Sequence, residues 1–351
     1  MTRTESMLAV RYTAYGSSPE LVELPSPVCP EDGVVLDVLA SGVCRSDWHA
    51  WRGHDPVSLP HVPGHELAGV ISRVGPDVTG FGLGDLVTTP FVNGCGVCEL
   101  CRGGDAQVCP AQTQPGFTHH GSFAEQVALF AADTNLVRLP EGLDPVVAAS
   151  LGCRFATAYR AVTAHGRVGE GDWVAVYGCG GVGLSAIQIA LALGARVVAV
   201  DVAAPARRRA TELGAIGIEA DGAIERIIDL TGGGAHLSLD ALGSATTSSA
   251  AVRSLRRRGR HVQVGLMLGD DARAPLPWDL VVASELEIYG SHGMAARDYP
   301  AMLAMVSSGA LRPHELVGRV ITLAEAPAAL MAMDSPTAST AGMTVIDVGQ
   351  H

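Results

Sequence analysis

The chain has 351 residues, enough for two domains, with 48% hydrophobic residues, 17% charged residues and 42 glycines. Its net charge of −12 argues against nucleic acid and anionic membrane surfaces as partners. All 24 basic residues are arginine, which excludes a Schiff-base lysine and a P-loop lysine. No charged-then-apolar leader opens the chain, so no signal peptide is expected. The most apolar stretch, Val182 to Val202, is broken by Gln188, Gly194, Arg196 and Asp201, which fits a buried helix–strand pair better than a membrane span.

Residues 1–40 alternate apolar and polar side chains between Pro and Gly, the pattern of short antiparallel strands; Cys29 falls in a turn and is read as a bystander. Gly42 to Gly75 then gathers Cys44, His49 and His65 with the carboxylates Asp47 and Glu66. A thiolate and an imidazole are donors zinc favours, but two of them leave a shell incomplete. A strand begins at Val70–Ile71, and Gly80 to Thr89 reads as a turn into another, so this Gly- and Val-rich first part suggests a β-rich, barrel-like domain. Cys95-x2-Cys98-x2-Cys101-x7-Cys109 follows, four thiols within fifteen residues, the pattern of a closed tetrahedral structural zinc site. Ferredoxin-type clusters use other spacings. Disulfides are disfavoured in an acidic, leaderless chain, which reads as a protein of the reducing cytoplasm.

From Val146 the pattern turns helical. Pro145 to Cys153 reads as a helix ending near Gly152, and Trp173–Tyr177 as a strand. Gly178-Cys-Gly180-Gly181-Val182-Gly183 follows at once, then a helix from Leu184 to Leu193, a strand from Arg196 to Val200, and Asp201 at its tip. Between strand and helix, with an acid ending the next strand, this is the dinucleotide-binding context: the glycines allow a tight turn and the helix N-terminus offers N–H donors to a pyrophosphate. Asp201 suits a free ribose and repels a 2′-phosphate, favouring NAD; Arg207 and Arg208, a few residues on, oppose that preference. Strands at Leu237–Asp240, His261–Gly265 and Leu286–Gly290 complete a doubly wound parallel sheet. The run from Arg256 to Arg260 reads as the polar end of a helix and the turn after it. Residues 294–351 hold a helix at about 298–308, a strand at 316–322, a helix near 325–333 and a last strand at 344–348.

With Gly64-His65-Glu66-x2-Gly69-x5-Gly75, the four-cysteine lobe, Cys153 and the glycine motif in this order, the chain resembles the zinc-dependent alcohol dehydrogenases of the medium-chain dehydrogenase/reductase superfamily, nearly end to end. The resemblance implies a GroES-like β-rich catalytic domain (1–154 and 294–351, with a zinc lobe at 91–112) interrupted by a Rossmann NAD-binding domain (155–293). It implies two zinc ions per subunit: a catalytic one on Cys44, His65 and Cys153, with Glu66 and Asp47 behind the ligands, and a structural one on the four lobe cysteines. A Cys2His set leaves a fourth position open. The implied reaction is reversible hydride transfer between an alcohol and NAD, yielding an aldehyde or ketone. Ser46 and His49 would carry the proton out, His49 titrating near neutrality. Cofactor contacts are implied at Arg45, Thr157, Val182, Leu242, Val264, Leu266 and Gly290.

Trp48, Trp51, Phe91, Phe117, Leu266 and Met267 are candidates for the substrate pocket, Phe91 on the strength of the resemblance; if several line it, the substrate is apolar or aromatic. Polyol or amino-alcohol oxidation is the alternative within the superfamily, and a non-catalytic NAD-binding protein the alternative outside it. Two positions depart from the family pattern: Met343 stands where many members carry a basic residue, and Arg154 where a glycine is common. Family members are dimers or tetramers, and a homotetramer is expected, with small-molecule alcohols, aldehydes or ketones as partners.

Overall fold

The structure, a computed structural model, describes residues 6–335 and 342–349. Fifteen strands appear among them, and the sheets they form divide the chain. The hairpin of β1 (Ser6–Arg11) and β2 (Glu20–Pro25) opens it. Then come β3 (Val34–Val43), β4 (Glu66–Val74), β5 (Leu86–Thr88), β6 (Gln126–Leu129) and β7 (Val137–Arg138). Next are β8 (Trp173–Tyr177), β9 (Arg196–Val200), β10 (Ile216–Ile218), β11 (Ala235–Asp240), β12 (Leu255–Gln263) and β13 (Glu287–Gly290), and finally β14 (Val317–Thr322) and β15 (Met343–Asp347).

One sheet runs β14-β15-β3-β4-β5-β7, with β6 also pairing with β3. Its central strand β3 is buried almost throughout, because it is paired on both sides and covered on both faces. Val34, Leu36, Val38 and Val43 join Leu67, Ile71, Phe123 and Ile346 in the core beneath. β4 begins at Glu66, four residues earlier than the sequence suggests, so His65 is the last residue before a strand and is held by its first pairings.

The other sheet runs β10-β9-β8-β11-β12-β13, every pair parallel. Numbered from β8, this order is 3-2-1-4-5-6, the doubly wound arrangement, with its switch point between β8 and β11. β8 and β9 are continuous apolar runs because helices cover both faces. The helix after β8 spans Gly181–Ala192 and starts three residues before Leu184, inside the glycine motif. A Cβ on Gly183 would stand 1.8 Å from the Gly178 carbonyl oxygen, so only glycine lets this helix lie so close on its strand.

A helical run joins the two sheets. Its first turn, Pro145–Ala149, packs Ala148 and Ala149 on Ala40, Ala68 and Val345 of the first sheet. Further on, Leu151, Phe155 and Ala158 pack with Leu184 and Ile187 of the second. The helix expected to end near Gly152 instead continues through a π-helical turn, Leu151–Phe155, into Ala156–Arg160. Such turns recur at functional sites, and this one carries Cys153 and Arg154 to the junction between the sheets. A second correction concerns Arg256–Arg260. The preceding helix ends at Arg253, and the run lies in a bulged start of β12, where Arg258 takes φ 59° and the pairing slips between Ala235 and Leu237. The bulge turns Arg256, Arg257 and Arg258 outward to solvent. Among the described residues no helix is long and apolar enough to cross a membrane.

Candidate active site

Cys44 caps the helix Arg45–Arg52, and Asp47 in its first turn organises what surrounds it. One carboxylate oxygen of Asp47 accepts from the Cys44 N–H at 2.9 Å. The other accepts from the Gly64 N–H at 3.0 Å and from His65 Nδ1 at 2.9 Å. Asp47, His65 and Glu66 are fully buried. With Nδ1–H committed to Asp47, His65 turns the lone pair of Nε2 inward, and that buried atom has no hydrogen-bond partner. Donor atoms of Cys44, His65, Glu66 and Cys153 lie within 4.8 Å of one another. A buried, unpartnered imidazole nitrogen between two thiols is what a zinc ion would satisfy, so the donor set fits the metal the sequence suggested.

The electrostatics agree. The Cys44 thiol is held well below its ordinary range, first by the hydrogen bond with Cys153, then by His65 and Arg154, and Cys153 is driven up in exchange. Only one of two touching buried thiols can ionise without a cation between them. Burial alone would lower the pKa of His65; Asp47 and Cys44 together outweigh it and raise it, so a metal ion binding at Nε2 takes the place of a proton.

Glu66 points away from bulk water into a buried ion pair. Arg154 donates to one of its oxygens through both backbone N–H and Nε at 3.0 Å, and to the other through Nη2. Burial, the largest influence, still pushes the Glu66 carboxyl up, partly offset by Arg154. The sequence flagged Arg154 only as a bulky departure; its partner, 88 residues away, was not visible there.

The lobe is built differently. Cys95, Cys98, Cys101 and Cys109 also lie within 4.8 Å of one another, but on a short exposed excursion around the helix Glu99–Gly103, which buries no side chain of its own. Val97, Leu100 and Val108 are exposed. Backbone N–H groups of Val97 and Cys98 hold Cys95 down to about 6, so this thiol is already ionised at neutral pH. The four thiols form no disulfide, and Cys98 Sγ lies 3.7 Å from Cys109 Sγ, a donor set that fits a metal ion.

At the switch point the glycine motif sits over the ends of β8 and β9. Asp201 accepts from the Cys179 N–H and from the Ala203 N–H, both at 2.8 Å, which ties the acid to the motif and leaves it at the crevice. Arg207 is occupied elsewhere: it donates to the Asp201 and Val202 carbonyls at 2.9 Å and to Glu219 at 2.7 Å. The Gly178 turn abuts Leu242, while Val264 and Leu266 follow β12 and Gly290 ends β13, all at the carboxyl edge of the sheet. Thr157 Oγ1 and Ser291 Oγ are buried without partners. Sequence reasoning missed Ser291; its one signal is its position just after β13.

Several expected site residues lie elsewhere. Ser46 Oγ stands 3.8 Å from Cys44 Sγ, but the nearest polar partner of His49 is His54, Nδ1 to Nδ1 at 3.2 Å. Burial, His54 and Arg45 push His49 down to about 4, not near neutrality, so it is uncharged at pH 7. Arg45 donates to the Met333 carbonyl and lies 4.9 Å over the Trp48 ring, whose indole N–H is tied to Asp334 at 2.7 Å. Trp51 is 3% exposed, donates to the Ser17 carbonyl at 2.6 Å and packs with Tyr12 and Val57, a core role rather than a pocket role. Phe91 and Phe117 flank His65, with ring centroids 6.1 and 5.2 Å from it. Met267 and the exposed Leu266 lie on the loop after β12. Met343, at the start of β15, is 1% exposed and packed in the core.

Comparison with known proteins bears on this geometry. Residues 30–141 match the alcohol dehydrogenase GroES-like domain, and residues 181–308 match the zinc-binding dehydrogenase domain. An alcohol dehydrogenase of Geobacillus stearothermophilus is 34% identical over 301 residues, covering 84% of this chain and 86% of that protein. The chain belongs to the zinc-dependent alcohol dehydrogenase family of the medium-chain superfamily. A sorbitol dehydrogenase of Halalkalibacterium halodurans is 31% identical across 97% of this chain and all of that one. Among solved structures, the alcohol dehydrogenase TADH from Thermus sp. ATN1 superposes with a TM-score of 0.89 at 31% identity, covering 97% of this chain and 100% of that one. The fold is therefore the family's GroES-like domain with a Rossmann-type domain, and the activity is zinc-dependent alcohol oxidoreduction.

Proposed function

We propose that this enzyme interconverts apolar or aromatic alcohols with their aldehydes or ketones, using NAD. The unpartnered Nε2 of His65, between two thiols and walled by Phe91 and Phe117, carries the reading. Cys44, His65 and Cys153 would hold the catalytic zinc, and the four lobe cysteines a structural one. A zinc ion there supplies Lewis acidity to the substrate oxygen, and NAD supplies the hydride acceptor.

The chain's own groups then divide the work. Asp47 fixes the tautomer and aim of His65. Phe91 and Phe117 keep water from the cluster and favour an apolar substituent. Ser46, whose Oγ lies 3.8 Å from Cys44 Sγ, takes the substrate proton; His49, pushed down to about 4 and paired with His54, stays uncharged at neutral pH and does not hold it. Asp201 selects a free adenosine ribose, supported by the engagement of Arg207 with Glu219. The domain division at 154/155 and 293/294 is our reading, supported by the two separate sheets. A cytoplasmic homotetramer is likewise our reading, its compartment supported by eight free cysteines.

The full-length likeness to a sorbitol dehydrogenase favours a polyol as the second reading. Steady-state rates on benzyl alcohol and 1-butanol beside sorbitol and threonine, each with NAD and NADP, test the proposal. Higher kcat/KM on the first pair with NAD supports it; higher kcat/KM on sorbitol or threonine contradicts it.

A further inference from the structure

Arg154 has more reach than its pairing with Glu66 uses. It is 7% exposed and follows Cys153 in the π-helical turn between the two sheets. Its backbone N–H, Nε and Nη2 all serve Glu66. Nη1 is the arm that faces the glycine motif. A Cβ built on Gly181 would stand 2.5 Å from Arg154 Cδ and 3.4 Å from Nη1, so the side chain runs against the first residue of the helix Gly181–Ala192. On the other side, a Cβ on Gly42 would stand 3.1 Å from Nη2. The guanidinium is thus threaded between Gly42 and Gly181 and fixed in direction by both oxygens of one carboxylate.

The helix N-terminus beside it is where the N–H groups of the glycine motif face an anion. A planar guanidinium held at that spot is well suited to phosphate oxygens, and its donors are preorganised. Other basic candidates are engaged or missing. Arg45 is bonded to the Met333 carbonyl and stacked on Trp48. Position 343, where many members of the family carry a basic residue, holds a buried apolar methionine. Resting on the dinucleotide reading above, we propose that Arg154 is a cofactor-binding residue: held by Glu66, its Nη1 edge supplies the cation for the pyrophosphate at Gly180–Gly181. The cofactor and the metal cluster then share one arginine, and Glu66 is the strut that aims it.

Calorimetric titration of the zinc-loaded enzyme with ADP-ribose and with AMP tests this. Three proteins are compared: the wild type, Glu66→Gln, and the double variant Glu66→Gln/Arg154→Met, which leaves no buried carboxylate unpaired. Glu66→Gln keeps the arginine but weakens its strut, so it should bind ADP-ribose severalfold more weakly than wild type and still more tightly than the double variant. The double variant should lose about tenfold to a hundredfold for ADP-ribose and markedly less for AMP, which lacks the second phosphate. Zinc content should be equal in all three, which a general collapse of the site would not leave. Equal ADP-ribose affinity in the two variants, or equal losses for ADP-ribose and AMP, overturns the proposal. If the double variant does not fold, Arg154→Lys replaces it: a loss of severalfold for ADP-ribose supports the contact, and unchanged affinity overturns it. A wild type that binds no ADP-ribose overturns the dinucleotide reading itself, a result distinct from tight binding that ignores Arg154.

Discussion

The lobe cysteines come from fifteen consecutive residues, three of them half-buried, whereas Cys44, His65, Glu66 and Cys153 are drawn from three parts of the chain into a junction where all but the half-buried Cys153 are buried. The lobe offers four thiols and no imidazole or carboxylate. The junction offers two thiols, one imidazole with its lone pair turned inward, and a carboxylate held back by Arg154. Four soft ligands close a shell, while three ligands beside an aromatic wall leave a face open. On the function proposed above, the same metal would serve folding in one place and chemistry in the other, by what surrounds it.

Breaking each cluster should therefore have opposite signatures. The largest effect is expected at the junction: Cys44→Ala should lower kcat/KM for alcohol by about three orders of magnitude or more, with ADP-ribose still bound. Turnover near wild type would remove the catalytic role from this cluster. Cys98→Ala in the lobe should instead lower Tm by on the order of 10 °C, with kcat of the remaining folded enzyme largely kept. Loss of kcat with Tm unchanged would reverse the assignment.

Smaller effects sharpen the contrast. Asp201→Ala should shift the NAD/NADP ratio of kcat/KM toward NADP by roughly tenfold, and an unchanged ratio would show that another group selects the ribose. Away from both clusters, burial and then its neighbours His120 and His61 push His119 down to about 4. Folding favours its neutral form, so the stability it adds is present above its ordinary value of about 6.5 and is lost as pH falls from there toward 4. His119→Gln should flatten that acid-side fall in Tm by on the order of 5 °C. The same slope in the variant would show that the imidazole does not titrate with folding.

What could be read from sequence was local. The glycine motif between β8 and its helix, the acid ending β9 and the lobe spacing each lie within one short segment, where turn chemistry and ligand spacing act directly. Cys153, the remaining thiol of the junction, has no neighbour in sequence to announce it and is implied only by the resemblance; its aim depends on a π-helical turn that no periodicity signals. The Glu66–Arg154 pair joins β4 to that turn and exists only once the two sheets are apposed. Burial likewise explains the misreadings. His49 loses its expected near-neutral pKa because Trp48, His54 and Arg45 crowd it, and Trp51 turns inward because its indole finds the Ser17 carbonyl.

The measurement that bears most directly on the two-cluster account is zinc content per subunit alongside activity, for the wild type and Cys44→Ala. The account predicts two zinc ions in the wild type, and one in Cys44→Ala, which stays folded and inactive. A wild type with a single zinc that Cys44→Ala neither removes nor inactivates would contradict it.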